Sequence, residues 1–295
     1  MKFLVTGSSG LVGSQVVHDL VRPENQVYAC YSQSKPQDGI PVQLDLVNDN
    51  NIIQVVGNIK PDVVIHLAAM TNVDLCEKEK ELALKINAKA TQTLAKQAAR
   101  YGSFFVYVST DYVFDGEKGM KGEDDMPSPV DYYGYSKYQG EIAVQDMASS
   151  WCIARTSTPF GMHHTKKSFP VFVAENLRAK KEISIVTDQY TSPTYVPNLS
   201  QMLIEISTRQ ILGVIHLAGS TRISRYGMAS LVAEKLGLAK NLLKPASMES
   251  MNWIAKRPKD SSLDVSKATR ILKEKPLSVD DGLGRFISEI KTGSN

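Results

Sequence analysis

Cysteine is scarce in this chain. Cys30, Cys76 and Cys152 are widely spaced and odd in number among 295 residues, which argues against a disulfide framework and fits a reducing compartment. They read as small buried apolar side chains. The five histidines form no His-Glu-x-x-His pattern and no Cys/His zinc spacing. No apolar run approaches the ~18 residues of a membrane span, and the apolar start at Phe3–Val5 is too short for a signal peptide. An excess of charge is also lacking. The 34 basic and 31 acidic residues leave a net charge of +3, so there is no electrostatic case for nucleic acid or an anionic membrane as partner. With 42% hydrophobic residues the chain has ample material for a core. A cytoplasmic protein of one large or two moderate domains is the expectation.

What the chain has is alternation. Apolar strand patterns at Phe3–Thr6, Gln26–Tyr31, Pro41–Leu44, Asp62–Leu67, Ser103–Ser109 and Trp151–Arg155 are separated by helical ones at Leu11–Val21, Ile52–Ile59, Glu81–Arg100 and Tyr133–Ala148. Unbroken apolar strands between helices predict a parallel sheet covered on both faces. Beyond Arg155 the order is less regular, with helices at Val171–Lys180, Pro197–Thr208, Arg225–Leu236 and Val279–Ile290 and strands at Ile183–Val186 and Val214–Leu217. The fold class read from this is α/β, a Rossmann-type doubly wound sheet with a smaller, interwoven substrate-binding lobe. Residues 1–158 are assigned to the dinucleotide-binding domain, with late sheet pieces near 186–222. Residues 159–185 and 223–295 form the lobe.

Gly7-Ser8-Ser9-Gly10-Leu11-Val12-Gly13 follows the first strand and opens the first helix. Glycines let backbone approach a pyrophosphate, and a helix amino terminus offers N–H groups and positive dipole. The spacing is GxxGxxG, and its position between strand and helix is what makes it informative. An NAD-selective fold usually places a carboxylate about 20 residues further on. Here the second strand runs into Ser32, Gln33, Ser34 and Lys35, with no acid before Asp38. Ser32, Ser34 and Lys35 suit a 2′-phosphate, so NADPH is the expected cofactor, with NADH also admitted. Asp45 and Leu46 are placed for the adenine, and Ala68, Ala69 and Met70 for the cofactor at the sheet edge.

Tyr133 and Lys137 are four residues apart and share a helix face. A phenol titrates near ~10. A nearby ammonium would favour the phenolate, so that Tyr133 can trade a proton with a reacting oxygen. Tyr135 and Tyr138 lack that spacing. Upstream, Ser109-Thr110-Asp111-Tyr112 ends a strand in hydroxyls, where ligands of open α/β sheets bind. Thr110 is thus a donor to a ketone oxygen.

These stretches resemble the dTDP-4-dehydrorhamnose reductase family. The likeness runs through Gly7–Gly13, Ala68–Asp74, Asn87, Ser109–Gly116, Tyr133–Lys137, Arg155-Thr156-Ser157, Ser192–Val196, Ile215–Gly219 and Arg257–Asp264. The resemblance implies Thr110, Tyr133 and Lys137 as catalytic residues for hydride transfer to C4 of a nucleotide-linked 6-deoxy sugar. It implies Thr71, Val73, Asp111, Tyr112, Ser192, Thr194 and Arg257 as substrate-binding residues. Three departures matter. Thr158 follows Arg-Thr-Ser where the family often has Trp, which leaves the sugar open. The first helix lacks the acid some members use in a magnesium-linked dimer, so no metal is expected, while a homodimer stays open. Ser109–Gly116 contains no Cys, which argues against epimerisation at C3/C5. A reductase or epimerase acting on another nucleotide-sugar is the nearest alternative. A non-catalytic regulatory subunit, like that of methionine adenosyltransferase, is the other. His66 and His216 read as core histidines. His163 and His164 lie in a substrate-side loop, where they either meet a sugar or phosphate or are solvated.

Overall fold

A computed structural model of the chain describes residues 1–292. The apolar segments become seven parallel strands: β1 (Lys2–Thr6), β2 (Gln26–Tyr31), β3 (Ile40–Gln43), β4 (Val63–His66), β5 (Phe104–Thr110), β6 (Trp151–Thr156) and β7 (Gly213–His216). They form one sheet in the order β7-β6-β5-β4-β1-β2-β3. Every residue of β4 and β5 is buried, as expected of central strands covered on both faces. The longer helices are α1 (Leu11–Leu20), α2 (Asp49–Ile59), α3 (Ala90–Arg100), α4 (Tyr132–Met147), α5 (Phe169–Arg178), α6 (Val196–Arg209), α7 (Arg225–Lys235) and α8 (Val279–Thr292).

Two apolar cores flank the sheet. On one face Val16, Val17 and Leu20 of α1 and Leu199, Met202, Leu203 and Ile206 of α6 pack on Phe3, Val5, Val63 and Val106. Ser200 and Gln201 donate to the Asp19 carboxylate at 2.6 and 3.0 Å and so tie α6 to α1. On the other face α2, α3 and α4 cover Leu4, Val64, Phe105 and Ile153. A third core joins α5, α7 and α8 in the lobe. The strand expected at Ile183–Val186 forms there and pairs in parallel with Leu243–Ala246, away from the main sheet.

The helix expected over Glu81–Arg100 is present but not regular. Residues Lys85–Lys89 make a π-helical turn between two α-helical stretches. Such a turn carries one extra residue and is found mostly at functional sites. Its centre, Asn87, is 1% exposed. The Asn87 carbonyl accepts from the hydroxyls of Thr91 at 2.9 Å and Tyr107 at 3.1 Å. Its side chain faces the start of α4.

One buried ion pair anchors α4 to the sheet. Arg155 on β6 donates through Nε and Nη2 to both carboxylate oxygens of Glu141 at 2.9 and 2.7 Å. Both side chains are almost fully buried. Removing one partner of such a pair strands a charge, whereas replacing both with apolar groups can be nearly neutral. Arg155→Met is therefore expected to lower the unfolding free energy by about 3–5 kcal/mol. Adding Glu141→Leu should recover much of that loss, and urea denaturation of the two single variants and the double variant measures it. A double variant no more stable than Arg155→Met would show that the pair is not what anchors α4.

Candidate active site

The glycine turn is shaped by close backbone approach. Gly7 has φ of +68°, and a Cβ on it would sit 2.8 Å from the Ala68 nitrogen. A Cβ on Gly13 would sit 2.1 Å from the Gly7 carbonyl oxygen. Both positions therefore exclude any other residue. Gly10 has more room, its Cβ position lying 3.1 Å from the Gly7 oxygen. Helix α1 begins with no side-chain cap and no acid in its first turn, so its first N–H groups are left for an anion. The residues present thus fit a dinucleotide pyrophosphate.

Three cavities meet at this turn, and Ser9 borders all of them. The first, about 360 Å³, is lined by Ser32, Asp45, Leu46, Ala68, Ala69 and Met70. The second, about 440 Å³, is lined by Ser34 and Lys35 beyond the second strand. The third, about 520 Å³, runs from Gly7, Gly10, Leu11, Val12 and Gly13 to Thr71, Thr110, Asp111, Tyr112, Tyr133 and Lys137. The glycine turn and the acid–base residues therefore share one cleft at the carboxyl ends of the strands, the ligand crevice of open α/β sheets.

Asn87 fixes the helix that carries Tyr133 and Lys137. Its Oδ1 accepts from the Met70 N–H at 2.8 Å, while Nδ2 donates to the Met70 carbonyl at 3.0 Å and to Ser136 Oγ at 2.9 Å. Ser136 in turn donates to the Tyr133 carbonyl at 2.9 Å. Lys137 Nζ donates to the Val108 carbonyl at 2.8 Å and lies 4.0 Å from the centre of the Tyr107 ring. Burial pushes its ammonium down to about 7, opposed by Glu141. Burial also holds the Tyr133 phenol well above its ordinary value, partly offset by hydrogen bonding with Thr110. The sequence had suggested a phenol lowered by the lysine. Here burial dominates at both groups, and the phenol is kept in the protonated form that a general acid needs.

Thr110 is held by its neighbour. Its hydroxyl donates to Asp111 Oδ1 at 3.0 Å, and Ser157 and Ser261 donate to Oδ2 at 2.7 and 2.6 Å. Asp111 is 3% exposed. Burial raises its pKa while the three hydroxyls lower it.

Other anticipated residues are employed differently. Ser192 and Thr194 are fully buried. Ser192 Oγ accepts from the Leu263 N–H at 3.1 Å, and Thr194 Oγ1 donates to the Ser157 carbonyl at 2.6 Å. Their polar atoms are spent on backbone, so they brace the floor of the site and do not line the cleft. Arg257 pairs with Asp74 at 3.0 Å and donates to the Ala255 carbonyl, outside the cleft lining. Val73 opens the short helix that carries Asp74, also outside the lining. His66 bridges Thr6 at 2.7 Å and Thr91 at 3.0 Å and is pushed down to about 3, first by burial and then by Lys137. It is a neutral strut. His216 is likewise pushed down to about 3 by burial, with Arg155 adding to it. Sequence reasoning did not mark Lys166 or Arg225, which both line the cleft. Arg225 stacks over Phe169 at 5.3 Å. Its place at the first residue of α7 gives it no motif by which to be found.

The family model described as the RmlD substrate binding domain matches residues 1–292. Among curated proteins, the probable low-salt glycan biosynthesis reductase Agl14 of Haloferax volcanii is 32% identical, with 90% of each chain covered. Methionine adenosyltransferase 2 subunit beta of Xenopus tropicalis is 30% identical over 91% of this chain and 81% of its own. Among solved structures, dTDP-4-dehydrorhamnose reductase from Bacillus anthracis, in complex with NADP, superposes with a TM-score of 0.88 at 32% identity. That match covers 98% of this chain and 99% of the other. The chain belongs to the dTDP-4-dehydrorhamnose reductase family, whose solved members among its neighbours are oxidoreductases on this same Rossmann-type fold.

Proposed function

We propose that the protein reduces the C4 ketone of a nucleotide-linked 6-deoxy sugar with NADPH, converting dTDP-4-dehydro-L-rhamnose to dTDP-L-rhamnose. The observation that carries this reading is the meeting of Thr110, Tyr133 and Lys137 with the glycine turn in one cleft. When bound, NADPH supplies the hydride. Ser32, Ser34 and Lys35 receive its 2′-phosphate, and the first turn of α1 receives the pyrophosphate.

The chain's own residues manage the proton. Tyr133 holds a phenolic proton and donates it to the sugar oxygen as charge develops there. Lys137, when protonated, steadies the phenolate left behind and has N–H groups to spare for a ribose hydroxyl. Thr110 turns its hydroxyl from Asp111 to the ketone oxygen. Asp111 keeps its bonds from Ser157 and Ser261 in that state. Thr158, where the family often has Trp, leaves GDP- and UDP-linked sugars as further substrates to try.

The 30% identity to methionine adenosyltransferase 2 subunit beta favours one second reading, a non-catalytic regulatory subunit that retains the cofactor site. NADPH oxidation over a panel of 4-keto nucleotide-sugars separates the two. Consumption with one of them supports the reductase, and none with any supports the subunit.

Tyr133→Phe is expected to lower kcat by about 10²–10⁴-fold while NADPH affinity stays nearly intact. Thr110→Val should cost less, because it removes one donor. Tyr135→Phe and Tyr138→Phe should turn over normally. A loss in either as large as that of Tyr133→Phe would relocate the acid.

The pH profile of kcat/KM carries a second expectation, since it reports groups of the free protein. Activity should fall as pH rises through about 7, where Lys137 loses its proton, while the phenol of Tyr133 stays protonated well beyond. The inflection should vanish in Lys137→Met. A profile flat from pH 6 to 9 in the native protein would remove Lys137 from this role.

In a fluorescence titration, Lys35→Asp should shift cofactor preference towards NADH, because its carboxylate would repel a 2′-phosphate. An unchanged preference would detach Lys35 from that site.

A further inference from the structure

The segment that follows Gly161 reads Met162-His163-His164-Thr165-Lys166-Lys167. Chain order places it at the entrance to the lobe, on the sugar side. The structure instead lays it across the glycine turn. Met162, His163, His164 and Thr165 line the cavity of about 440 Å³ together with Ser14, His18, Ser34 and Lys35. Lys166 Nζ hangs over the turn itself, 4.0 Å from where a Gly10 Cβ would be.

The chemistry of this segment is that of a donor surface. His163 Nδ1 accepts the backbone N–H groups of Thr165 at 3.2 Å and Lys166 at 3.0 Å. With that nitrogen accepting, the proton of the neutral ring sits on Nε2. Nε2 is buried and turned to the Ser9 backbone, which ties the segment to the glycine turn. The His164 ring stacks on His163 at 4.3 Å between centroids and lines the same space. Asp38, the one acid of this lining, already faces His18 at 3.1 Å. Lys167 is paired with Glu175 at 2.7 Å, whereas Lys166 has no carboxylate partner among the described residues.

We propose that Met162–Lys167 is the outer jaw of a cofactor-phosphate clamp, in which His164, backed by the His163 ring, closes on the 2′-phosphate held by Ser34 and Lys35, and Lys166 closes on the pyrophosphate above Gly10. The proposal rests on the NADPH reading given above. It assigns to a lobe segment the task of reading the cofactor's phosphates, from the side opposite the sheet.

The test is equilibrium binding, by fluorescence or calorimetry, of NADPH, NADH and adenosine 2′,5′-bisphosphate to the full chain. His163→Ala/His164→Ala should weaken NADPH and the bisphosphate by about tenfold, the scale of one charge-assisted hydrogen bond, and leave NADH unchanged. Lys166→Met should weaken NADPH and NADH alike. Because the segment is largely exposed, far-ultraviolet circular dichroism and melting temperature should match the native protein. A double-histidine variant that keeps the native NADPH-over-NADH preference overturns the clamp while the NADPH reading stands. A native protein that prefers NADH, or that binds neither dinucleotide, overturns both.

Discussion

The cleft depends on the side chain of Asn87. A buried amide must have its donors and acceptor matched, and this one is matched by three groups that belong to the site. Two are the N–H and carbonyl of Met70, at the exit of β4, and the third is the hydroxyl of Ser136, between Tyr133 and Lys137. The π-helical turn supplies the reach. Without the extra residue, Asn87 would lie about 100° further round the helix, and neither Met70 nor α4 would have its partner. One amide thus sets the distance between the wall where a cofactor would lie and the helix that carries the acid.

Most of this architecture was legible in the chain because it rests on patterns of apolar residues. Strands such as Phe104–Thr110 are buried on both faces and announce themselves. The glycine turn was legible because close backbone approach admits no substitute. The π-turn was not, since Lys-Ile-Asn-Ala-Lys has ordinary helical residues and the irregularity is imposed by what packs against it. The fates of Ser192 and Thr194 were illegible for a related reason. A hydroxyl at a strand end can serve a ligand or its own backbone, and only the surrounding loops decide. For His163 and His164 the sequence left sugar, phosphate and solvent open, and only the path of the chain brings them to the cavity beside the glycine turn.

Electrostatically the site is governed by burial. Burial is the first cause of the shifts at Tyr133, Lys137, Asp111 and His66 alike. Charge that develops there is met first by fixed dipoles and hydroxyls of the protein. The neutral His66 strut and the hydroxyls around Asp111 are such fixed partners, and they are set before any ligand arrives.

Those hydroxyls also set an order of assembly. Asp111 draws its donors from Thr110, from Ser157 and from Ser261, the last of them 150 residues away along the chain. Long loops are expensive to close and contacts across them tend to form late in folding. The sheet pairs strands that lie closer along the chain than Asp111 and Ser261 do, so it can be in place while the carboxylate beneath Thr110 still lacks its last ligand. A chain ended before Ser261 would lose one of the Asp111 Oδ2 donors and, with Ala268 and Leu272, part of the apolar core against the sheet. The competence of the reacting end thus depends on the chain having reached and docked Ser261, and the carboxylate works as a built-in check on that late contact.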